Sequence, residues 1–256
     1  MLLSGSSATG SALNPGAENG QDEKVITALR TENQIVIDGA LDEPDWALTE
    51  PISDLYQQEP QEGDPASERT EVYLLYDDEN LYVGARCFDT SGEEGIVITD
   101  MRRDYPPFDN DTFVFVLDTF NDDRNGYLFS TNPRGSKHDS QIANDGGKSN
   151  RDWDGIWHVK TKITEWGWLV EIAIPFKTLR FGRDEEQLWG INFQRRIRRK
   201  NEASHWSRIP RPYFITRLSD AGKLEGLRGI HSGRNLFVKP YVSAPVVRLR
   251  GDDVDF

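Results

Sequence analysis

Residues 100–154 contain eleven aspartates and six asparagines but no glutamate. Short carboxylates and amides hold their oxygens close to the backbone, which suits side-chain-closed turns and also ligation of a hard cation such as calcium. Asp109, Asn110, Asp111, Asp122 and Asp123 are the candidate ligands for calcium, with turns between strands as the alternative. No twelve-residue loop ending in glutamate occurs, so an EF-hand is excluded. Two carboxylates at a fixed separation would also serve as the acid and base of a glycoside hydrolase. With 43 Asp and Glu in the chain any pair can be chosen, so this abundance carries no hydrolytic signal and the chain is read as not an enzyme.

The second chemical resource is aromatic: seven Trp, eight Tyr and twelve Phe. Trp and Tyr rings stack on the apolar faces of sugars while Asp, Asn, Gln and Arg bond the hydroxyls. The stretch NRDWDGIWHV (150–159) sets Trp153 among polar residues, beside Asp152 and Asp154, where ligand contact and packing are equal readings. Trp153 and Asp154 are therefore candidate ligand residues. Trp157 shares a face with Val159 and is expected in the core, as are Trp168 and Trp189. The basic run RRIRRK (195–200), if extended, puts Arg196, Arg198 and Lys200 on one face and Arg195, Ile197 and Arg199 on the other. Those charges either pair with the Asp-rich loops or, on the face of Arg196, recognise an anion or sugar hydroxyls.

Other chemistries have no support. The four histidines form no HxH or HExxH pattern, and no GxSxG, P-loop or GxGxxG is present. A net charge of −13 argues against nucleic acid as a partner. A single cysteine, Cys87, excludes an intrachain disulfide and a cysteine zinc cluster. It lies in an alternating strand and reads as an inert core thiol.

These residues need strands to carry them. Period-two runs occur at 72–76 and 81–87 (a hairpin through the turn DDEN), 112–118, 126–132, 155–163, 167–174 and 188–199. Turn clusters such as NDDRNG, NPRG and NDGGKSN separate them. The fold class predicted is all-β, an antiparallel β-sandwich of jelly-roll or immunoglobulin-like type, with short helical turns at 42–48 and 175–181. Trp46, after an acidic turn, is expected to plug an end of the sandwich. Residues 1–24, rich in Gly, Ser, Ala and Asn, read as a flexible leader or signal remnant, 25–232 as the sandwich, and 233–256 as the start of a following region.

Five phrases together carry a resemblance: IVIDGALDEPDW (35–46), VYLLYDDENLYVGARCFD (72–89), DNDTFVFVLDTFNDDRNGYLFSTNPRG (109–135), GWLVEIAIPFKTL (167–179) and WGINFQRRIRRKNEASHWS (189–207). They resemble family 9 carbohydrate-binding modules, related to DOMON domains, over about 35–230. They are more closely similar to the module that precedes the β-barrel of large bacterial outer-membrane proteins. The resemblance implies a sugar-binding sandwich with structural calcium, a role in polysaccharide catabolism, and a cell-envelope location, periplasmic or at the surface. It also implies that 233–256 begins a barrel strand. It assigns an aromatic wall to Phe108 and sugar-hydroxyl bonds to Asn132 and Gln194. Val114 stands where an acidic sugar ligand is expected, and Ser130 where an arginine is expected. A glycan is the partner this implies. A sandwich that has lost sugar binding and docks on the barrel or on another protein is the alternative.

Overall fold

Alternation along the strands decides which side chains meet. In the computed structural model, which describes residues 24–232, the strands are β1 (Val25–Thr27), β2 (Leu29–Arg30), β3 (Tyr56–Glu59), β4 (Thr70–Tyr76), β5 (Asn80–Phe88), β6 (Thr112–Asp118) and β7 (Gly126–Thr131). They continue as β8 (Lys137–Ala143), β9 (Lys148–Asn150), β10 (His158–Thr164), β11 (Gly167–Pro175), β12 (Glu186–Ile197), β13 (Glu202–His205) and β14 (Gly222–Arg228). The predicted leader, Lys24 apart, and the predicted start of a barrel at 233–256 lie outside the described residues.

The strands form two sheets. One has five strands in the order β10-β11-β5-β4-β2; the other has nine, β1-β14-β12-β6-β7-β8-β9, with β13 on β12 and β3 on β13. Val72, Leu74, Val83, Ala85, Cys87, Trp168, Val170 and Ile172 of the first sheet meet Phe113, Phe115, Phe129, Trp189, Ile191 and Phe193 of the second in one buried cluster. Phe115 stacks on Phe129 at 5.2 Å, and Trp157 meets Phe129 edge-on at 5.4 Å. These rings fill the space between sheets, as the period of two requires. Two pairings are parallel, β1 with β14 and β2 with β4, so the sandwich is mixed rather than purely antiparallel.

Both outer faces are partly covered. The segment that carries Ile35, Leu41 and Trp46 lies over Tyr73, Leu75, Tyr82, Leu169 and Ala173 of the five-stranded sheet. Trp46 therefore covers an outer face rather than plugging an end of the sandwich. Its ring approaches so closely that a Cβ on Gly84 would sit 2.9 Å from it, so only glycine fits there. On the other sheet, Ile215 and Leu218 cover Val114, Val116, Leu128 and Ile142. Strands β6 and β11 are consequently buried on both faces.

One buried carboxylate fastens the first cover. Glu171, 0% exposed on the outer face of β11, accepts hydrogen bonds from the Asp38 and Gly39 amides, both at 2.8 Å. Gly39 has φ +90°, a left-handed conformation that glycine adopts without strain. Burial pushes the Glu171 carboxyl up to about 7, against the two amide bonds that favour its charged form.

Candidate carbohydrate site on the outer face of the larger sheet

Pro106 and Pro107 open a short 3-10 turn, Pro107–Asp109, that ends just before β6. Proline fixes φ and is tolerated at the start of a helical turn, so this turn has one strongly preset shape. It presents Phe108 to solvent at 54% exposure. Asn110 holds the turn from beneath. Its Oδ1 accepts from the Thr99 and Asp100 amides at 2.7 and 3.3 Å, and its Nδ2 donates to the Pro106 carbonyl at 2.9 Å. Asp111 accepts from the Arg198 amide at 2.7 Å and so ties the start of β6 to the end of β12.

Against Phe108 stands a second exposed ring. Phe214, 64% exposed, meets it edge-on at 6.4 Å. The Arg196 guanidinium lies over the Phe108 ring at 5.0 Å. Burial, then the like charge of Arg198, lowers the pKa of Arg196, while Glu59 raises it. Two residues back on the same face of β12, Gln194 Nε2 is 2.8 Å from His205 Nε2 on β13. Burial, then the charge of Arg196, brings His205 down to about 3, so the imidazole is neutral at physiological pH and accepts from the Gln194 amide. The arrangement is two apolar ring surfaces beside a cation and an amide, which suits a polyhydroxylated ring with apolar faces.

The floor beside these groups is filled. Val114, 4% exposed, packs under Ile215. Ser130 is buried, and its Oγ is 2.7 Å from the Tyr105 hydroxyl. Next to Ser130 across the ladder, His138 Nδ1 lies 3.2 Å from Asp104.

The other sequence-predicted residues go elsewhere. Asn132 is fully buried: its Oδ1 accepts from the Arg134 and Ser136 amides at 3.0 and 3.2 Å, and its Nδ2 donates to the Asp100 carbonyl at 2.8 Å. Its amide therefore closes the β7–β8 turn with both polar atoms bonded to backbone. Trp153 is half-buried, 5.0 Å from the Tyr127 ring and 6.0 Å from that of Phe129. Tyr127 and Phe129 point to the interior, whereas Phe108 lies on the outside of the sheet, so the candidate ligand rings Trp153 and Phe108 are not brought together. Asp154 stays with Trp153 and ion-pairs with Arg103 at 2.8 Å.

The basic run divides as alternation requires only up to Ile197, after which Arg198–Lys200 form a 3-10 turn. Arg195 points inward, 1% exposed, with its guanidinium 4.9 Å from the Trp168 ring. Arg199 bonds Glu68 and Asp89 at 2.9 and 2.5 Å, and Lys200 bonds Glu68 at 2.5 Å. Burial opposes ionisation of Glu68, yet the bonds from Lys200 and Thr90 outweigh it and bring the pKa down to about 2.

The calcium candidates form two clusters, one at each end of β6. Asp109, Asn110 and Asp111 precede β6 while Asp122 and Asp123 follow it, about 20 Å apart for a seven-residue strand. Asp122 closes its own turn, accepting from the Arg124 and Asn125 amides, both at 2.8 Å. Among the described residues no group of three or more His, Cys, Asp or Glu side chains is placed to hold a metal ion.

Phe214, Tyr105 and His205 were not singled out from the sequence. The available signal for Phe214 was the pair Tyr213-Phe214 in a proline-flanked, non-alternating stretch, where large rings have no strand to bury them.

The profile of the family described as carbohydrate family 9 binding domain-like matches residues 37–207. No curated protein matches the sequence. Among solved structures, the chain is similar to a family 9 carbohydrate-binding module from Caldicellulosiruptor kristjanssonii in complex with cellotriose. That likeness has a TM-score of 0.56 and 18% identity, covering 85% of this chain and 100% of that one. A family 9 module of the same organism in complex with glucose gives a TM-score of 0.58 and 19% identity over the same shares, 85% and 100%. A third structure, from Bacteroides uniformis, gives 0.65 and 14% identity, covering 80% of this chain and 100% of that one. At these identities the likeness is one of fold.

Proposed function

Because the chain belongs to the carbohydrate family 9 binding domain-like family, we propose that it is a non-catalytic carbohydrate-binding module whose platform is the outer face of the nine-stranded sheet around Phe108 and Phe214. The observation that carries this is the pair of exposed rings, 6.4 Å apart, beside Arg196 and Gln194. A lone exposed ring is ordinary, but two in contact next to a half-buried cation form an apolar surface with directional donors. Complexes of similar structures with cellotriose and glucose support the ligand class. A cell-envelope setting, with a barrel following the module, completes the proposal; its support is the resemblance of the sequence phrases, and membrane fractionation of the native host tests it.

Affinity electrophoresis in gels cast with plant and bacterial polysaccharides tests sugar binding. Retardation by at least one polysaccharide is expected, and retardation lost in F108A/F214A places the site. A folded protein that migrates unretarded in every gel contradicts the proposal.

A second function is favoured by the filled floor, where Ile215 covers Val114 and Tyr105 caps Ser130. On that alternative the face docks on a protein and the exposed rings are its contact residues. Partner capture that needs Phe108 and Phe214 with no retardation by any polysaccharide distinguishes it.

A further inference from the structure

Several arginines that lie against an aromatic ring also face an acid. Arg217, stacked on Tyr213 at 3.9 Å, pairs with Asp220 at 3.3 Å. Arg86, over Tyr73, faces Glu71, and Arg30, over Tyr76, pairs with Asp78. Arg196 differs. Directly across from it on the two neighbouring strands are Thr112 and Ala203. Gln194 lies two residues back, and Val114 and His205, opposite Gln194, lie diagonally. None of the five carries a negative charge, since His205 is neutral and buried. Glu59, the carboxylate whose charge reaches Arg196, is held at 3.7 Å by Arg211. Arg196 is therefore a half-buried cation without an ion-pair partner among the described residues, in a chain of net charge −13.

A buried or half-buried charge is costly to leave uncompensated. The guanidinium is a planar fork that matches a carboxylate with two parallel hydrogen bonds, geometry a neutral sugar hydroxyl cannot supply. Phe108 and Phe214 offer apolar ring faces on which the sugar itself would rest. We infer that this platform selects an acidic glycan, one whose sugar carries a carboxylate that seats on Arg196 while its ring lies against Phe108 and Phe214. The inference rests on the carbohydrate-binding function proposed above and narrows its ligand. The overall negative charge does not oppose it at working salt, where fields beyond about 8 Å are screened.

Calorimetric titration of the whole chain with trigalacturonate and, in parallel, cellotriose tests it, because the two differ in charge at equal ring number. The acidic trisaccharide is expected to bind about tenfold tighter at about 0.15 M salt, with the advantage shrinking as salt is raised further. R196Q is expected to collapse that preference, weakening trigalacturonate binding more than cellotriose binding. R196K, which keeps the charge but not the fork, is expected to fall between. Acetate, a carboxylate without a sugar, should not compete at matched concentration. Equal or tighter binding of cellotriose by the unaltered chain overturns the inference even if R196Q does not fold; so does a preference that survives R196Q, or competition by acetate as strong as by trigalacturonate. Binding of cellotriose without an acidic preference, or of neither saccharide, overturns this inference alone, whereas a folded chain that no polysaccharide retards overturns the carbohydrate-binding proposal itself.

Discussion

Asn132 and Phe108 show how residues assigned to one site by resemblance separate once their surroundings are known. Both amide atoms of Asn132 are bonded to the backbone of its own turn and of the Asp100 loop. Asn132→Ala leaves buried amides and a carbonyl without partners, at about 1–3 kcal/mol for such a group. Chemical denaturation should therefore show a lower midpoint for N132A, and an unchanged midpoint with weakened sugar binding would instead make Asn132 a ligand residue. Phe108 is the reverse case: it is exposed, so F108A should stay within about 0.5 kcal/mol of the parent in stability. The acidic bias of 100–154 was legible as a population, because Asp and Asn close turns, and Asn110 and Asp122 do so here. Which of them had a free oxygen was not legible, since that depends on amides such as that of Arg198, 87 residues away in sequence.

At the scale of elements, period-two alternation gave the hairpin of β4 and β5 and the strands β6, β7, β10, β11 and β12 close to their observed limits. β8 was missed because KHDSQIA is polar: Asp139 accepts from the Gly155 amide and only Ile142 joins a cluster. β14, GKLEGLR, was missed because two glycines interrupt its alternation, and the parallel pairs of β1 and β2 leave no local trace. The clamp of β11 on the 38–39 turn also depends on distant residues, and it makes stability depend on pH. Glu171 titrates at its ordinary 4.5 when unfolded and at about 7 when folded. Between those values the folded state keeps a proton that the unfolded chain has released, so this group's contribution falls as pH rises through that window and is level above it. E171Q keeps an acceptor for both amides and has no such titration. The melting temperature of the parent minus that of E171Q should therefore decline from pH 4.5 to 7, and parallel profiles would contradict the raised pKa that burial gives this carboxyl.

The whole molecule extends past the stretch that marks its family. The match ends at residue 207, yet β14 pairs with β12 from Glu186 to Ile191, and Leu224 and Leu227 lie in the main core. Ile215 and Leu218 cover the outer face, and Phe214 supplies half of the exposed aromatic pair. A fragment of residues 37–207 should accordingly lose cooperative unfolding and near-UV circular dichroism, whereas 24–232 keeps both; a cooperative 37–207 would show β14 to be dispensable. The sandwich class was legible because alternation and turn clusters are local signals. The platform was legible only in part: Phe108, Gln194 and Arg196 come together, while Phe214 arrives by a loop whose path only tertiary packing fixes. The central claim, a glycan platform on this face, is tested most directly by one calorimetric comparison of the parent chain and F108A/F214A against the polysaccharide that retards the parent most. Saturable binding weakened at least about tenfold in the double variant, at equal melting temperature, is the predicted result. Equal affinity in the two proteins would contradict it.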